Sequence, residues 1–348
     1  MSQQATASHN NRKLLITGAT GYIGGTVLAA LAHTNKYHIT ALVRDDDRAN
    51  TLKKHVNGIN TAVGGYTDYH VLENAAKEAD IVVHTAESAD NLDAAKAILK
   101  GLQSVKRSFP AVYIHTSGTG VLSDSAQGHP ANPNVYTDVD MSQINTLADD
   151  QPHRNVDLEI LNAVRGKADT IRTAIVCPPL IYGLGTGAFN VHSQQVPAMI
   201  KAAQKKGHAV HAGKGDNLWN NVHVRDLAKA FTLILEKLVA GDPNAPVNEN
   251  GYYFVENGEH SFRALATDIA LALEAHGVGD GKAHPLKEAK EIAALLGEGY
   301  PGGKHMLAGN SRSRAVLVRK LGWQPVEKSL GETVPYEVAY WVDQAKKQ

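Results

Sequence analysis

The sequence predicts an α/β fold in which a doubly wound parallel sheet is followed by a smaller C-terminal lobe. Short apolar runs alternate with stretches of helical periodicity through the first half of the chain, and a glycine-rich turn directly follows the first run. Parallel neighbours in a sheet need crossover helices, and those crossovers are right-handed. An order of strand, helix, strand, helix therefore favours the doubly wound arrangement.

Each element of this fold has its own sequence signal. Short runs of apolar and β-branched residues predict strands, and apolar residues three or four positions apart predict helices. The predicted strands cover residues 13–17, 38–44, 60–63, 80–85, 111–116 and 170–177. The predicted helices cover residues 23–31, 49–56, 68–78, 90–107, 156–164, 196–206, 226–239 and 261–276.

The same pattern divides the chain into a sheet domain at 12–180 and a lobe at 181–348, parts of which return to the sheet. His223 and Asp226 are expected to fix the lobe against the sheet domain. The segment 122–150 is rich in Ser, Asp, Asn and Pro and has weak periodicity. It predicts a long loop, and such loops inside a compact domain are usually functional or mobile.

Composition argues against several classes of function. The 348 residues carry 35 basic and 35 acidic side chains, so neither a nucleic acid nor a membrane surface is an expected partner. No apolar window reaches the ~18 residues of a membrane helix, and residues 1–11 lack a signal-peptide core. The single cysteine, Cys177, cannot form an internal disulfide and is interpreted as a packing residue, so a cytoplasmic location is expected. His208 and His211 lack a third ligand at suitable spacing, so no metal is expected.

A glycine-rich turn marks the first candidate site. Thr17 to Gly25 reads TGATGYIGG, after a predicted strand and at the start of a predicted helix. Gly18, Gly21 and Gly24 let the backbone turn sharply and approach a pyrophosphate closely. The N-terminus of the following helix offers free N–H groups and a partial positive charge to that anion. The turn therefore predicts a Rossmann fold that binds a dinucleotide.

The residue at the end of the second strand indicates which dinucleotide is bound. NAD enzymes place an acidic residue there to accept the ribose hydroxyls, whereas this chain has Arg44 followed by Asp45. A guanidinium suits the 2′-phosphate of NADP through charge-assisted hydrogen bonds. Asp45 turned toward the ribose would favour NAD, but negative charge at a helix start also explains the acidic run at 45–47. We therefore expect NADP(H) in preference to NAD(H).

A set of motifs spans nearly the whole chain. Besides TGATGYIGG and the ALVR of the second strand, they are DIVVHTA at 80–86, CPPLIYGLG at 177–185, WNNVHVRDLAKA at 219–230 and LGWQP at 321–325. As a set, these motifs resemble those of the extended short-chain dehydrogenases, which include the NAD-dependent epimerases and dehydratases. The resemblance is strongest to the dihydroflavonol-reductase branch.

This resemblance implies a set of cofactor contacts. They lie in the phosphate turn and at the ends of the second, fourth and fifth strands: Gly18, Thr20, Gly21, Tyr22, Ile23, Arg44, Thr85, Ala86, Thr116 and Ser117. The resemblance also implies a cofactor contact from Pro178, and it places the next residues, Leu180 and Ile181, near the nicotinamide. The family's third-strand Gly-Asp-Leu reads Gly64-Gly65-Tyr66 here, so Tyr66 either stacks on adenine or covers a loop. A homodimer through the helices at 90–107 and 156–167 is implied as well.

The resemblance breaks at the family's catalytic Tyr-x-x-x-Lys. The corresponding helix begins QPHRNVDLEIL at Gln151 and has neither residue at that spacing. Aligned helix faces put the tyrosine position within two residues of Gln151 and the lysine position near Asn155, which brings His153 and Arg154 close to both. A histidine can act as a general acid, and an arginine can neutralise a developing oxyanion. Alternatively, His153 and Arg154 bind the cofactor ribose or a loop backbone.

Two further groups are candidates for catalysis. Tyr136 is the nearest tyrosine in the sequence. The family's serine position after the fifth strand is Gly118 here. The hydroxyls of Thr116, Ser117 and Thr119 either orient a substrate carbonyl or cap the strand end and touch the cofactor.

These observations favour an NADP-dependent oxidoreductase that transfers a hydride to or from a small carbonyl or alcohol, with a non-standard proton donor. That donor is His153, Tyr136 or a water held by Ser117. One alternative is a non-catalytic sensor of NADP, which the absent dyad favours. A second is a sugar-nucleotide epimerase or dehydratase, which needs a strong acid and base and so loses most from that absence.

Overall fold

A parallel sheet lies at the centre of the computed structural model, which describes residues 11–130, 134–286, 291 and 303–347. The polar segment at 1–10 lies outside the described residues. The strands are β1 (Arg12–Thr17), β2 (Tyr37–Val43), β3 (Asn60–Val63), β4 (Ile81–His84), β5 (Ala111–Thr116), β6 (Tyr136–Thr137), β7 (Ile171–Cys177), β8 (Leu180–Tyr182), β9 (Ala209–Ala212), β10 (Leu218–His223), β11 (Tyr252–Phe254), β12 (Glu259–Ser261), β13 (Ala283–Leu286) and β14 (Ser313–Arg314).

Helices connect these strands. They are α1 (Tyr22–Thr34), α2 (Asp46–His55), α3 (Tyr69–Glu78), α4 (Leu92–Gln103), α5 (Met141–Asn145), α6 (Arg154–Val164), α7 (Gln195–Lys206), α8 (Val224–Ala240), α9 (Phe262–Glu274), α10 (Gly303–Ala308), α11 (Leu317–Lys320) and α12 (Leu330–Ala345). Among the described residues, no helix combines the length and the apolar character that a membrane span requires.

The strand order of the central sheet confirms the doubly wound α/β fold. The seven strands run β11-β7-β5-β4-β1-β2-β3, and every neighbouring pair is parallel. The chain therefore moves outward from β1 to β3 and then crosses back to β4 on the other side of β1. Ligands of open α/β sheets bind outside the carboxyl ends of the strands at this switch point. Thr17 of β1 and His84 of β4 lie opposite each other at that edge.

Two apolar layers cover the sheet. Alternate residues of each strand face opposite sides, as Val82 and Val83 of β4 illustrate. Val83 packs in the layer that α1 and α8 cover, and Val82 packs in the layer that α3, α4 and α6 cover. Because both faces are buried, the central strands read as continuous apolar runs in the sequence.

The lobe has its own core, formed by α7, α9 and α12 with two small sheets of order β12-β10-β8 and β13-β9. Helix α8 and strand β11 belong to the later part of the chain but return to the central sheet. The division of the chain at residues 180 and 181 stays a prediction.

Two predicted segments differ from the structure for a reason that the observed contacts show. The helix expected at 90–107 is α4, which begins at Leu92 because the side-chain Oδ1 of Asn91 accepts the Ala94 N–H at 3.0 Å. Asp90 therefore lies in the preceding loop. The loop expected at 122–150 contains α5 and also β6, because the backbone of Tyr136 pairs with the distant β14. No local periodicity indicates such a pairing.

A buried carboxylate ties the sheet layer to the chain end. Asp226 of α8 accepts hydrogen bonds from the N–H of Val326 at 3.1 Å and of Glu327 at 2.9 Å. Its side chain also accepts from Lys229 Nζ at 3.1 Å, and its backbone carbonyl accepts from Trp323 Nε1 at 2.9 Å. Helix α8 packs on the sheet and the chain after Glu327 enters α12 of the lobe, so Asp226 has the linking role expected from the sequence.

Replacing this carboxylate should weaken the whole fold. Asp226→Ala leaves two backbone N–H groups without their acceptor, and we expect the free energy of unfolding to fall by about 3 kcal/mol. Urea unfolding followed by tryptophan fluorescence measures the loss. Asp343→Ala, at an exposed carboxylate of α12, is the control and should cost less than about 0.5 kcal/mol. Equal losses in the two variants would contradict the linking role of Asp226.

Candidate active site

The phosphate turn is held against the end of β4 by close packing. Gly18 has a φ of +74°, and a Cβ at this residue would lie 2.5 Å from Thr85 Oγ1. A Cβ at Gly24 would meet the same oxygen even more closely. Thr85 is itself fixed, because its N–H donates to Thr17 Oγ1 at 3.2 Å and its hydroxyl donates to the Thr17 carbonyl at 2.7 Å. Only glycine fits at both positions of the turn.

The start of α1 fits an anionic ligand. Gly21 stands at the N-cap, where no side chain bonds to the first N–H groups of the helix. These groups and the helix dipole suit the pyrophosphate of a dinucleotide. Thr20 lies in the turn, and its carbonyl accepts the Asn190 N–H at 3.4 Å. The residues present therefore fit the predicted cofactor.

The first helical side chains point away from this anion site. Tyr22 is buried, and its hydroxyl donates to the Gly183 carbonyl at 2.5 Å in the turn after β8. Ile23 packs on the sheet core. The predicted contacts of both residues with the cofactor stay predictions. Ala86 follows Thr85, and its backbone nitrogen borders Gly18.

The end of β2 carries an exposed guanidinium. Arg44 is exposed and directly follows β2. Asp45 caps α2, because its Oδ1 accepts the Arg48 N–H at 2.8 Å and its Oδ2 forms an ion pair with Arg48. The Arg48 N–H and guanidinium lower the pKa of Asp45. The carboxylate of Asp45 is thus engaged in capping α2, in agreement with the interpretation of the acidic run at 45–47 as negative charge at a helix start.

The turn after β3 lies beside the end of β2. The Gly64 N–H donates to the Val43 carbonyl at 2.8 Å, one residue before Arg44. Tyr66 in the same turn is partly exposed, and its carbonyl accepts from Asn91 Nδ2 at 3.4 Å. Stacking of Tyr66 on adenine stays a prediction.

His153 lies against the turn that follows β5. It precedes α6 and has a backbone φ of +70°, in the left-handed region that residues other than glycine rarely adopt. A Cβ at Gly118 would lie 3.3 Å from His153 Nε2, and one at Gly120 would lie 2.9 Å from it. The imidazole therefore occupies the space beside Gly118, the serine position of the resemblance. A hydroxyl-bearing side chain at 118 would crowd the ring.

The other nitrogen of this ring has an acidic partner. His153 Nδ1 lies 2.7 Å from Oδ1 of Asp90. The hydrogen bond from His153 lowers the pKa of Asp90 below its ordinary value. Sequence analysis missed Asp90, which is 63 residues from His153 and was assigned to a helix.

A buried polar cluster lies one turn further along α6. Asp157 accepts hydrogen bonds at Oδ2 from the hydroxyls of Ser117 at 3.1 Å and Tyr252 at 2.7 Å. Burial raises the pKa of Asp157 to about 6, although both hydroxyls and the charges of His153 and Arg154 oppose that shift. The hydroxyl of Ser117 is therefore bound to Asp157. A catalytic role for Ser117 stays a prediction.

Arg154 is buried beside this cluster. Its side chain is 2% exposed, and within the described residues neither its Nε nor its Nη1 has a hydrogen-bond partner. The family's lysine was expected to align near Asn155, but the Asn155 side chain is exposed. The residue four positions after His153, which is the spacing of the Tyr-x-x-x-Lys motif, is the buried Asp157. Sequence analysis missed Asp157 and Tyr252, because only the fold brings β11 to α6. The choice between catalysis and cofactor binding for Arg154 stays open.

The remaining predicted residues lie on several different elements. Tyr136 lies on a separate two-stranded sheet opposite Ser313. The Thr116 carbonyl accepts the Ser88 hydroxyl at 2.6 Å. The Pro178 carbonyl accepts the Thr119 N–H at 3.0 Å, which joins the turn after β5 to the end of β7.

The two residues expected near the nicotinamide lie in core layers. Leu180 is buried in the lobe core, and Ile181 packs partly on the sheet core. Because its side chain is buried, Leu180 could contact the nicotinamide only through its backbone, and this contact stays a prediction.

Two histidines face each other inside the sheet. His84 of β4 and His115 of β5 are paired across the strands. Nδ1 of His84 lies 2.6 Å from Thr17 Oγ1, and Nδ1 of His115 lies 3.1 Å from the Tyr113 hydroxyl. Burial lowers the pKa of His84 to about 3 and that of His115 well below its ordinary value. Both rings are therefore neutral near pH 7 and cannot donate a proton as imidazolium. No group of three metal-binding side chains occurs among the described residues.

Comparisons with known proteins agree with this geometry. A family model described as NAD(P)H-binding matches residues 18–145, and one described as the NAD dependent epimerase/dehydratase family matches residues 157–248. The oxidase ucsJ of Acremonium is 30% identical over 329 residues, which cover 90% of this chain and 93% of that protein.

Solved structures show the same fold. The UDP-N-acetylglucosamine 4-epimerase of Methanobrevibacter ruminantium superimposes with a TM-score of 0.64 at 17% identity, over 96% of this chain and 99% of that chain. The dTDP-glucose 4,6-dehydratase DesIV of Streptomyces venezuelae, solved with NAD bound, has a TM-score of 0.65 at 17% identity, over 96% and 98%. With its phosphate turn, its doubly wound sheet and these matches, the chain belongs to the extended short-chain dehydrogenase family of NAD(P)-binding oxidoreductases, epimerases and dehydratases.

Proposed function

We propose that this protein is an NADP-dependent oxidoreductase that transfers a hydride between the cofactor and a small carbonyl or alcohol, with His153 as the proton donor. The observation that carries the proposal is the position of the His153 ring against Gly118 and Gly120, at the carboxyl end of β5. This edge of a doubly wound sheet is where the reacting end of a bound dinucleotide lies. When bound, the nicotinamide supplies the hydride for the carbonyl carbon.

The chemistry of the ring suits a donor. Reduction of a carbonyl needs a proton at the oxygen as the hydride reaches the carbon, and a histidine can supply it near neutral pH. The side chain of His153 is 19% exposed, so its ring is reachable from solvent. Tyr136 lies on another sheet and the Ser117 hydroxyl is bound to Asp157, which leaves His153 as the favoured candidate. The name of the related oxidase supports redox chemistry.

The exposed Arg44 supports NADP over NAD. Its guanidinium follows β2 with the turn of Gly64 and Tyr66 beside it, where the adenosine end of a dinucleotide lies in this fold. Asp45 is turned into the N-cap of α2 and is paired with Arg48, so its carboxylate is engaged within α2. This arrangement suits a 2′-phosphate better than a pair of ribose hydroxyls.

NADPH should bind more tightly than NADH, and Arg44→Asp should reverse that order. The change replaces a charge-assisted partner of the 2′-phosphate with a carboxylate that repels it, so the Kd for NADPH should rise by at least about tenfold. Direct fluorescence titration of both cofactors measures this. Lys53→Asp, an exposed charge change further along α2, is the matched control. Equal affinities in the unmodified protein would refute the NADP assignment.

His153→Ala should lower turnover by about 10² or more while NADPH affinity stays nearly constant. In the reductive direction, activity of the unmodified protein should fall as pH rises through the range in which histidine loses its proton. Steady-state rates at 340 nm with a panel of aldehydes and ketones test both statements. His276→Ala, at an exposed histidine after α9, is the control. A variant with unchanged turnover but weaker NADPH binding would place His153 at the ribose, and a protein inactive on every substrate would favour the NADP sensor.

The predicted homodimer would pair α4 and α6, which pack side by side in one chain. Their outward residues include Lys96 and Glu159, whose charged atoms lie 3.9 Å apart. We expect the mass of two chains in light scattering at micromolar concentration. Reversing the charge of Lys96 to Glu should shift this mass toward one chain. A single-chain mass in the unmodified protein would contradict the prediction.

A further inference from the structure

The loop between β4 and α4 presents a carboxylate to His153. Asp90 Oδ1 lies 2.7 Å from His153 Nδ1, within hydrogen-bond distance. The loop is pinned at two points, because the Ser88 hydroxyl donates to the Thr116 carbonyl at 2.6 Å and the Asp90 N–H donates to the Glu87 carbonyl at 3.3 Å. Asn91 then caps α4. The carboxylate is therefore built into a defined turn, although its side chain is 65% exposed.

We propose that Asp90 is the positioning residue of this site: it holds neutral His153 in the tautomer protonated at Nδ1 and stabilises the charged ring, so that Nε2 is the atom that gives up the proton. An ionised carboxylate only accepts hydrogen bonds, so Nδ1 must be the donor of this contact. The proton on Nδ1 is then present in both charge states of the ring. The proposal rests on the function proposed above for His153.

The opposite side of the ring agrees with this assignment. Nε2 is the ring atom closest to the Cβ positions of Gly118 and Gly120, at 3.3 and 2.9 Å. Among the contacts of the described residues, Nε2 has no hydrogen-bond partner, whereas Nδ1 has Asp90. Two glycines in the turn leave Nε2 free of a neighbouring side chain on that side. A substrate oxygen could approach Nε2 but not the nitrogen that Asp90 already engages.

Charges from each neighbouring element act on the ring. Asp90 reaches it from the loop after β4, His115 from β5, and Arg154 and Asp157 from α6. His115 is buried and neutral, so it adds no positive charge near pH 7. Arg154 carries a positive charge, and the ionised forms of Asp90 and Asp157 carry negative charges. Among the described residues, Asp90 alone forms a hydrogen bond with the ring.

The proton transfer balances without another reactant. In the reductive direction, a bound cofactor would supply the hydride of the new C–H bond, and the Nε2–H bond of charged His153 breaks as the substrate oxygen takes that proton. The products are the alcohol, the oxidised cofactor and a neutral imidazole that keeps its proton on Nδ1. Solvent water then restores the proton at Nε2, since the ring is partly exposed.

The tautomer of His153 can be measured without any substrate. Protein labelled with ¹⁵N-histidine gives long-range ¹H–¹⁵N spectra that distinguish the two neutral tautomers, and the spectrum of His153→Ala identifies the signal. We expect the Nδ1-protonated form in the unmodified protein and the Nε2-protonated form in Asp90→Ala. The titration midpoint of this signal, and the falling limb of the activity profile, should move to lower pH in Asp90→Ala, because the variant loses the negative charge beside the ring.

Two further variants sharpen the test. Asp90→Asn keeps an acceptor of the same size, so it should retain the tautomer but lose most of the charge effect on the midpoint. It also serves if Asp90→Ala folds poorly. Asp93→Asn, an exposed carboxylate in the first turn of α4, is the matched control and should change neither readout.

The two proposals fail in different ways. An unchanged tautomer and midpoint in Asp90→Ala, equal to those of Asp93→Asn, would overturn the role of Asp90, whatever the activity shows. Unchanged turnover in His153→Ala would overturn the assignment of His153 as the proton donor. It would do so even where the spectra of the unmodified protein show the contact between Asp90 and His153. A shift in both tautomer and pH profile on loss of Asp90 would support the pair as one unit.

Discussion

The close approach of the phosphate turn to Thr85 is the constraint on which the rest of the site depends. Thr85 is bonded through its N–H and hydroxyl to Thr17, so its oxygen stands at a fixed place between β1 and β4. Gly18 and Gly24 pack on that oxygen with no room for a Cβ. This contact aims the N-terminus of α1 at the switch point of the sheet, where the helix dipole can act on a pyrophosphate. The hydroxyl of Tyr22 in α1 then donates a hydrogen bond to the Gly183 carbonyl, which connects the start of this helix to the turn after β8.

The central sheet was predictable because its strands are buried on both faces. Residues 60–63 and 111–116 were predicted and observed with the same bounds, and the other predicted strands of this sheet differ by one or two residues. The lobe was less predictable, since its strands are short and pair with distant partners. Glu259–Ser261 has no apolar alternation, and it is a strand only because β10 lies beside it. The same reason hid β6 in a segment that reads as a loop.

In the candidate site as well, residues in local sequence patterns were predictable, and contacts between distant elements were not. The phosphate turn and Arg44 lie in local patterns whose chemistry can be read from consecutive residues. His153 was placed near the missing dyad by alignment of helix faces, but its partners were not, because they come from other elements. Asp90 follows β4, Gly118 follows β5, and Tyr252 comes from β11. What the sequence shows at these positions is an ordinary loop aspartate, a glycine and a strand tyrosine. Their meaning depends on the order in which the sheet brings β4, β5 and β11 toward α6.

The backbone of His153 supplies a reason why these contacts matter together. A left-handed φ at a residue other than glycine costs on the order of 1–3 kcal/mol, and it persists only where the surroundings over-determine it. Here α6 is anchored by its buried face, Asp90 holds one ring nitrogen, and the glycines of the β5 turn leave space for the ring. A relaxed backbone at 153 would carry the ring away from both the carboxylate and the turn. These contacts therefore fix the ring in one orientation, which is the preorganisation that the proposed proton transfer to a bound carbonyl would require.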